Sequence, residues 1–234
     1  MRTLTRKVLL VSLILFVPSF LGAKPNGPFF VGLGDLVGGS AFSSVAIGVS
    51  PDGAVAVGGS ISTRSVPLLE AFRWEEGVIE GLGFLSGGRR SQANAASAAG
   101  RVIVGLADGQ ESFSEAFRWE DGIMTSLGFL SNPFGSAVSF ASDVTPDGSV
   151  IVGSSAPTGS SNSEAFRWEN GVMLGLGTLP LERSESFAAA VSADGRVVVG
   201  LNRMSVEQEA VRWVDGVIES LGDLPGGGFF SQSR

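Results

Sequence analysis

One octapeptide, Glu-Ala-Phe-Arg-Trp-Glu-Glu-Gly, begins at Glu70 and returns three more times with small changes. The copies begin at Glu115, Glu164 and Glu209. A signature that returns at regular spacing is typical of a repeat architecture, in which each repeat is one supersecondary unit stacked on its neighbours. The four copies therefore indicate a repeated structural unit rather than a single catalytic constellation.

Two further signatures set the length of the unit. Leu-Gly-x-Leu returns at intervals of 49, 45, 49 and 45 residues, and each interval holds one of the four tryptophans. Each interval also holds a glycine followed by a β-branched run, such as the Val-Ile-Val after Arg101. We predict four complete repeats over residues 37–85, 86–130, 131–179 and 180–224. Residues 24–36 are predicted to hold the last strand of a partial repeat, a lone strand D that ends at Leu36, and 225–234 the start of another repeat.

Each repeat is predicted to form four short strands, A to D. Strand A runs from Ser43 to Ser50 in the first repeat and ends at Asp-Gly, a tight-turn signal. Strand B is the valine-rich run, and strand C is Glu-Ala-Phe-Arg-Trp. Strand D runs from Val78 to Leu85. Because side chains alternate along a strand, Phe72 and Trp74 point to one face.

Four strands in about 47 residues match the size of a β-propeller blade. We therefore predict an all-β, propeller-like fold of four complete four-stranded repeats, with partial units at both ends. Strand A is rich in Ala and Ser, which suits the crowded innermost position of a blade. A parallel β-helix is the alternative, although its coils usually repeat at shorter intervals. The aromatic residues predicted to fill the space between blades are Phe72, Trp74, Phe117, Trp119, Phe166, Trp168 and Trp213.

The first 23 residues are typical of a secretory signal peptide. Arg2, Arg6 and Lys7 precede an apolar run from Val8 to Val17, and small residues end at Ala23. The run is short for a membrane-spanning helix, although an uncleaved anchor is the alternative. We predict cleavage near Ala23 and a protein that is secreted, periplasmic or held at the cell surface.

Composition excludes several function classes. After cleavage the chain holds 13 Lys and Arg against 23 Asp and Glu, so nucleic-acid phosphates are repelled. The chain has no Cys and no His, which removes thiol nucleophiles, thiolate metal sites and the usual base for a catalytic serine. No cofactor and no metal are predicted.

The combined pattern of Leu-Gly-x-Leu, Gly-Gly, a small-residue strand, Asp-Gly-x-Val-Val-Val-Gly and x-Ala-Phe-Arg-Trp resembles the extracellular repeats called the HAF family. The resemblance covers all four repeats and implies an exported β-protein with no established reaction. The family is named for His-Ala-Phe, whereas this chain has Glu70 and its three equivalents in the His position. Any role of that His is therefore in doubt here.

The repeated charged residues have structural and functional interpretations. Asp52, Asp147 and Asp194 precede turn glycines, where Asp accepts backbone hydrogen bonds; the alternative, a calcium ligand, needs more oxygens than one carboxylate supplies. Arg73 and its equivalents are expected to pair with a local acid such as Glu70 or to cover apolar surface with their stems; the alternative is an anion-binding ring. The glycines from Gly32 to Gly38 resemble a dinucleotide loop but lack the helix it requires.

Length variation predicts the binding face. The hairpin from strand C to strand D has one length in every repeat, whereas the D–A and B–C connections vary. Insertions in repeat proteins gather on one face, often the binding face. These connections are predicted to hold unrepeated charges that form the binding face, opposite the Asp-Gly turns: Arg64, Arg89, Arg90, Asp108, Arg183 and Arg203.

The sequence thus predicts a non-enzymatic binding or scaffold protein outside the cytoplasm, with an extracellular protein or glycan as partner. Self-association through unpaired edge strands is also expected. A glycan-processing enzyme built on two carboxylates is the alternative from another class. A truncated product without independent function is the third possibility.

Overall fold

The computed structural model describes residues 31–38, 43–109, 114–130, 137–157, 162–180, 184–204 and 207–222. The chain divides into two compact units, Met1–Gly32 and Leu33–Arg234. Every strand named below lies in the second unit. The predicted signal peptide, the segment from residue 225 onward and Arg183 lie outside the described residues.

The described residues hold four antiparallel sheets, each of four strands joined in chain order. Sheet 1 contains β1 (Ser44–Val49), β2 (Val55–Ser60), β3 (Glu70–Glu75) and β4 (Val78–Gly83). Sheet 2 contains β5 (Ser91–Ala96), β6 (Val102–Ala107), β7 (Glu115–Glu120) and β8 (Ile123–Gly128). Sheet 3 contains β9 (Ala137–Val144), β10 (Val150–Pro157), β11 (Glu164–Glu169) and β12 (Val172–Gly175). Sheet 4 contains β13 (Ser184–Val191), β14 (Val197–Met204), β15 (Glu207–Val214) and β16 (Val217–Ser220).

This arrangement confirms the predicted fold class: the protein is all-β and propeller-like. Each sheet lies within one predicted repeat. The fourth strand ends earlier than predicted, at Gly83 instead of Leu85, because Gly83 has a φ of 82° and turns the chain out of the sheet. Leu33 to Leu36, expected to end a lone strand D, form no strand.

The Asp-Gly hairpins close through the side chains of two residues. Ser50 Oγ donates to Asp52 Oδ1 at 2.6 Å and accepts from the Val55 amide at 2.9 Å. The third and fourth hairpins repeat these bonds with Thr145 or Ser192 in place of Ser50. The second hairpin has Ala99 in place of the Asp and forms a single 3₁₀ turn, Ala98–Gly100. This turn therefore forms both with an Asp carboxylate and without one.

The first strand of every sheet carries a one-residue bulge at the same position. The register with the second strand shifts at Ile47, Asn94, Ser142 and Ala189. A bulge bends its strand and increases the local twist. Because the bulge recurs, the four sheets share one curvature on their inner side.

Neighbouring sheets pack through complementary faces. One face carries Val, Val and Ala from the second and third strands; the opposite face carries an aliphatic residue, Phe and Trp. Between sheets 2 and 3, Val104 and Ala116 pack in one buried cluster with Ile151 and Phe166. The same arrangement joins sheets 1 and 2, and it also joins sheets 3 and 4, where Val211 takes the place of the Phe. We call each of these three interfaces a seam.

At each seam, a serine near the start of the first strand forms hydrogen bonds to the backbone of the preceding sheet. Ser91 Oγ accepts from the Ala71 amide at 2.9 Å and donates to the Gly83 carbonyl at 2.6 Å, both in the preceding sheet. Ser139 and Ser186 do the same in the next two seams. Ser44 donates to the Gly34 carbonyl at 2.9 Å, so Gly34 occupies the place that Gly83 takes one repeat later.

The sheets follow one another in an arc. Sheet 1 packs on sheet 2, sheet 2 on sheet 3, and sheet 3 on sheet 4. Within the described residues, no seam of this kind joins sheet 4 to sheet 1, so the ring is not closed.

Candidate functional site

The up-and-down order of the strands gives every sheet two different ends. The turns from first to second strand and from third to fourth strand lie at one end, which we call the turn end. The remaining connections lie at the other, which we call the loop end. Loop ends of neighbouring sheets are bonded together, since the Ser91 amide donates to the Leu69 carbonyl at 3.0 Å and the Ser139 amide to the Ser114 carbonyl at 3.1 Å.

The predicted binding residues that the structure describes lie at the loop end. Arg64 lies in the β2–β3 connection, Arg89 and Arg90 precede β5, and Asp108 follows β6. Arg203 belongs to β14 itself, so its expected place in a connection was wrong. Asp52, Asp147 and Asp194 lie at the turn end. Ligand binding by the loop end stays a prediction.

Arg64 is fixed in place although its side chain is 61% exposed. Its Nη1 donates to Glu70 Oε1 at 3.1 Å, and its guanidinium lies 5.2 Å from the centre of the Phe84 ring. Glu70 is buried and accepts further bonds from Ser62 Oγ and from the Gly83 amide. The carboxylate and the ring thus hold a solvent-facing cation in one orientation.

Arg90 and Asp108 occupy the same pair of positions in sheet 2 that Glu185 and Arg203 occupy in sheet 4, with the charges exchanged. Glu185 and Arg203 are cross-strand partners in sheet 4, and the register of sheet 2 puts Arg90 and Asp108 in the equivalent places. Arg203 Nε donates to Glu185 Oε2 at 2.7 Å, and its guanidinium lies 4.9 Å from the Phe187 ring. Arg203 is therefore part of a closed pair.

The Arg90–Asp108 pair leaves a carboxylate oxygen without a bond. Asp108 Oδ1 is buried and has no hydrogen-bond partner among the described residues. Burial raises the pKa of Asp108, and the charge of Arg90 acts in the opposite direction. A buried acceptor without a donor is unfavourable, so Asp108 Oδ1 is an unsatisfied acceptor at the loop end.

Arg64, Phe84, Arg89 and Asp108 lie at the loop ends of sheets 1 and 2, and we group them as the loop-end patch. Arg89 is exposed, and no ion pair holds it in the described part of the chain. Leu68, 40% exposed in the connection that carries Arg64, adds apolar surface. The patch combines an oriented cation, an exposed cation, an aromatic ring and an acceptor.

The repeated glutamate, Glu70 with its equivalents, binds the backbone of its own repeat. Glu70 and Glu164 accept directly from the amides of Gly83 and Gly177, at 3.2 and 2.9 Å. In the other two repeats a serine hydroxyl lies between: Ser126 bonds Glu115 and accepts from Gly128, and Ser220 does the same for Glu209 and Gly222.

A neighbouring residue in the sequence indicates which of these two bonding modes the glutamate uses, and it was not predicted. The residue two positions before the glycine is Gly81 or Gly175 where the glutamate bonds directly, and Ser126 or Ser220 where a hydroxyl intervenes. A β-carbon on Gly81 or Gly175 would collide with the glutamate carboxylate. The side-chain type therefore follows the bonding mode, and the glutamate is structural.

The repeated arginines pair with a different acid from the one expected. Arg73 Nη2 donates to Glu75 at 2.6 Å and Arg167 Nη1 to Glu169 at 2.7 Å; neither bonds the Glu70 equivalent. Arg118 pairs with Glu120 in the same way. Arg212, which has Val214 two positions later, pairs across the sheet with Glu219 at 2.7 Å. All four charges are thus compensated within their own sheets.

The turn aspartates are also engaged. Asp147 accepts from Thr145 Oγ1 at 2.5 Å and from the Ser149 amide at 3.0 Å, and these bonds lower the pKa of Asp147 to about 2. Within the described residues, no three carboxylates converge in an arrangement that would hold a metal ion. The turn geometry explains Asp147 without a ligand.

The half-buried acid Asp143 was not among the residues predicted from the sequence. Asp143 lies in β9, where Oδ2 accepts from the Val191 amide of the next sheet at 2.9 Å and Oδ1 from the Val144 amide at 2.8 Å. Burial raises the pKa of Asp143, against the effect of these two bonds. The signal was an acid in a strand position where the other repeats have Gly48, Ala95 and Ala190. Asp143 bonds sheet 3 to sheet 4.

In the described part of the chain, no helix is long and apolar enough to cross a membrane. No protein-family model and no curated protein matches the chain. Solved structures do match. TolB from Acinetobacter baumannii is 16% identical with a TM-score of 0.50, over 76% of this chain and 43% of that one. A TolB candidate from Agrobacterium tumefaciens is 18% identical with a TM-score of 0.57, over 80% of this chain and 68% of that one.

A prolyl endopeptidase also matches, 13% identical with a TM-score of 0.52, over 81% of this chain and 29% of that one. The chain thus spans less than half the length of two of these three proteins. At such identities the similarity concerns the fold alone. The chain has a propeller-like fold of the kind found in TolB structures.

Proposed function

We propose that the protein is exported and acts as a non-enzymatic binding or scaffold protein, and that the loop-end patch contacts its partner. The observation that carries the proposal is the contrast between repeated and unrepeated charges. The repeated Glu, Arg and Asp side chains are engaged in bonds that their own repeats need. The unrepeated charges include the exposed Arg89 and the unbonded oxygen of Asp108.

The chemistry of the patch supports binding by an extracellular protein or a glycan. Arginine and aromatic side chains dominate binding energy at interfaces. Because Glu70 and Phe84 already orient Arg64, little side-chain freedom is lost when a ligand binds. Asp108 accepts a donor from the ligand, and Arg89 supplies donors of its own.

Export rests on the order of charged, apolar and small residues before Ala23. Mass spectrometry of protein from the native host's exported fraction tests it. The expected product begins at Lys24, and an intact Met1 on exported protein contradicts it.

The binding end is tested in the host, because the partner's identity is then not needed in advance. A photo-crosslinking amino acid is placed at Arg89, and a matched one at Glu76 in the β3–β4 turn at the opposite end. We expect a discrete crosslinked product at position 89, lost when Arg64→Ala is added. Products only at position 76, or equal products at both, contradict the proposal.

A glycan partner is tested separately with the labelled protein on an oligosaccharide array. Binding that falls in Asp108→Asn and Arg89→Ala, but not in the turn-end variant Arg196→Ala, supports the patch. Arg196 is a suitable control because it is exposed and paired with Asp215. Glycan binding that survives both patch variants contradicts the assignment.

A further inference from the structure

The first and fourth sheets each present a face that no neighbouring sheet covers within the described residues. In every seam, a Val/Ala face packs on the Phe/Trp face of the next sheet. We call the Phe/Trp face of sheet 1 the leading face, with Ala46, Val49 and Trp74. We call the Val/Ala face of sheet 4 the trailing face, with Val197 and Val199. These are the two halves of one more seam.

Exposure shows that the inner part of the leading face is open. Val49 is 61% exposed, whereas its equivalents Ala96 and Val144 in sheets 2 and 3 are 4% exposed. Ala46 is exposed where Ala93 and Ala141 are fully buried. These positions have apolar side chains in every repeat, so the difference comes from the missing neighbour.

The outer part of the leading face is covered by the chain itself. Ser44 and Ser60 bond the backbone of Gly34 and Leu36, as their equivalents in later repeats bond the preceding Leu-Gly-x-Leu segment. Phe72, which lies on this face, is consequently buried. What the leading face lacks is the sheet that would supply the Val/Ala half.

The trailing face shows the reciprocal exposure. Val199 is half-buried, whereas its equivalents Val57, Val104 and Val152 are fully buried. The side chain of Arg212 is 48% exposed, against 21% for Arg73 and Arg118. Leu221 is 50% exposed where Leu82 is 6% exposed. Sheet 4 therefore ends the arc with an unpartnered half-seam.

We infer that a second copy of this chain docks its trailing face on the leading face, so that copies associate head to tail. Val197 and Val199 of one copy would pack on Val49 and Trp74 of the other, as their equivalents pack within the chain. This contact joins faces, and so differs from hydrogen bonding between unpaired strand edges. It does not depend on the loop-end patch.

Two features set the strength of this contact. Leu221 of the incoming copy competes with Leu33, its equivalent in the Leu-Gly-x-Leu segment that covers the outer part of the leading face, so association is reversible and depends on concentration. The mature chain, with 13 Lys and Arg against 23 Asp and Glu, repels other copies. Because salt screens this repulsion and leaves apolar contacts intact, association should strengthen with ionic strength.

Sedimentation of purified protein at increasing concentration tests the inference with two half-seam variants. Val49→Asp damages only the leading face, and Val199→Asp only the trailing face. Val78→Asp is the matched control, since Val78 is 67% exposed on the outer strand β4. Circular dichroism and a cooperative melt establish that each variant folds; if Val199→Asp does not, Val197→Asp replaces it.

We expect the wild type and Val78→Asp to associate, and each half-seam variant alone to lose at least about tenfold in association constant, because burying an unpaired carboxylate is unfavourable. An equimolar mixture of the two variants should form a dimer, since each retains the half that the other lacks. A wild type that stays monomeric at every concentration and salt overturns the inference. Two variants that still associate alone, or a folded pair that does not recombine, overturn the head-to-tail contact.

Discussion

The seam between sheets 2 and 3 and the two outer faces of the arc are built from the same residue types but differ in burial. In the seam, Val104 and Ile151 are fully buried. On the outer faces, the Val104 equivalent Val199 is half-buried, and the Ile151 equivalent Ala56 is also half-buried. The alternation of side chains decides which face a residue points to, but a neighbouring sheet decides whether that face is buried.

The comparison separates two sources of stability. Strand pairing and hairpin bonds belong to each sheet alone, and they follow one pattern in all four apart from the Ala99 turn of sheet 2. Seam packing belongs to pairs of sheets, as nearest-neighbour terms do in repeat proteins. Matched substitutions at equivalent positions should therefore have different effects in the seam and at the ends of the arc.

The largest difference is expected for tryptophan. Trp119 lies in the buried cluster between sheets 1 and 2, whereas Trp74 lies on the leading face. Trp119→Ala should lower the free energy of unfolding by ~3–5 kcal/mol because it leaves a cavity. Trp74→Ala should cost about half as much or less, since part of its ring already faces solvent. Urea denaturation of both variants measures this, and equal losses would contradict an open leading face.

A smaller contrast is expected between two valines at one repeat position. Val104→Ala removes two buried methyl groups and should cost about 1.5–3 kcal/mol. Val199→Ala removes the same groups from a half-buried site and should cost less than about 1 kcal/mol. The two losses in unfolding free energy can be compared directly because the change in sequence is identical. It should be measured in dilute protein, where a second copy does not cover Val199.

The same contrast shows what sequence could and could not predict. The four-stranded repeats followed from Asp-Gly turns, alternating side chains and regular Trp spacing, because strand and hairpin formation are local. The partner acid of Arg73 was predicted wrongly, because the choice between Glu70 and Glu75 depends on which face each side chain occupies. Arg203 was placed in a loop because β14 extends further than the shorter second strands of sheets 1 and 2.

The site was harder to predict than the fold for a physical reason. Arg64, Arg89 and Asp108 were found because they break the repeat pattern. The contact between the Arg64 guanidinium and the Phe84 ring could not be predicted, because the two residues lie in connections that follow no periodic sequence pattern. Asp143 was missed because its partner, the Val191 amide, lies in the next sheet 48 residues away.

Hydrogen bonds at the sheet-to-sheet contacts should follow the same rule. Ser139→Ala removes the bonds to the Ala116 amide and the Gly128 carbonyl at a buried position, and should cost about 1–3 kcal/mol. Ser44 donates to the Gly34 carbonyl but is exposed, so Ser44→Ala should cost less than about 0.5 kcal/mol, because water replaces the lost bond. Thermal melts of the pair provide the measurement. A loss in Ser44→Ala as large as that in Ser139→Ala would mean that Ser44 is shielded from water as fully as Ser139.

The smallest effects are expected at low pH. Protonation of Asp143 at the seam and of Asp147 in a turn should change stability in opposite directions. The pKa of Asp147 is lowered to about 2, so its stabilising effect is fully present above its unfolded value of 3.8 and is lost as pH falls toward 2. Asp147→Ala, which copies the natural Ala99 turn, should make stability less sensitive to pH in this window; the effect is small because Asp147 is exposed and screened by water.

The pKa of Asp143 is raised by burial, so its charged form costs stability above the raised pKa, and protonation relieves that cost as pH falls through it. Asp143→Asn removes this titration and should make acid destabilisation steeper, the reverse of Asp147→Ala. Urea midpoints from neutral pH down to about 2 measure both slopes, and slopes that change in the same direction would show that the seam does not desolvate Asp143.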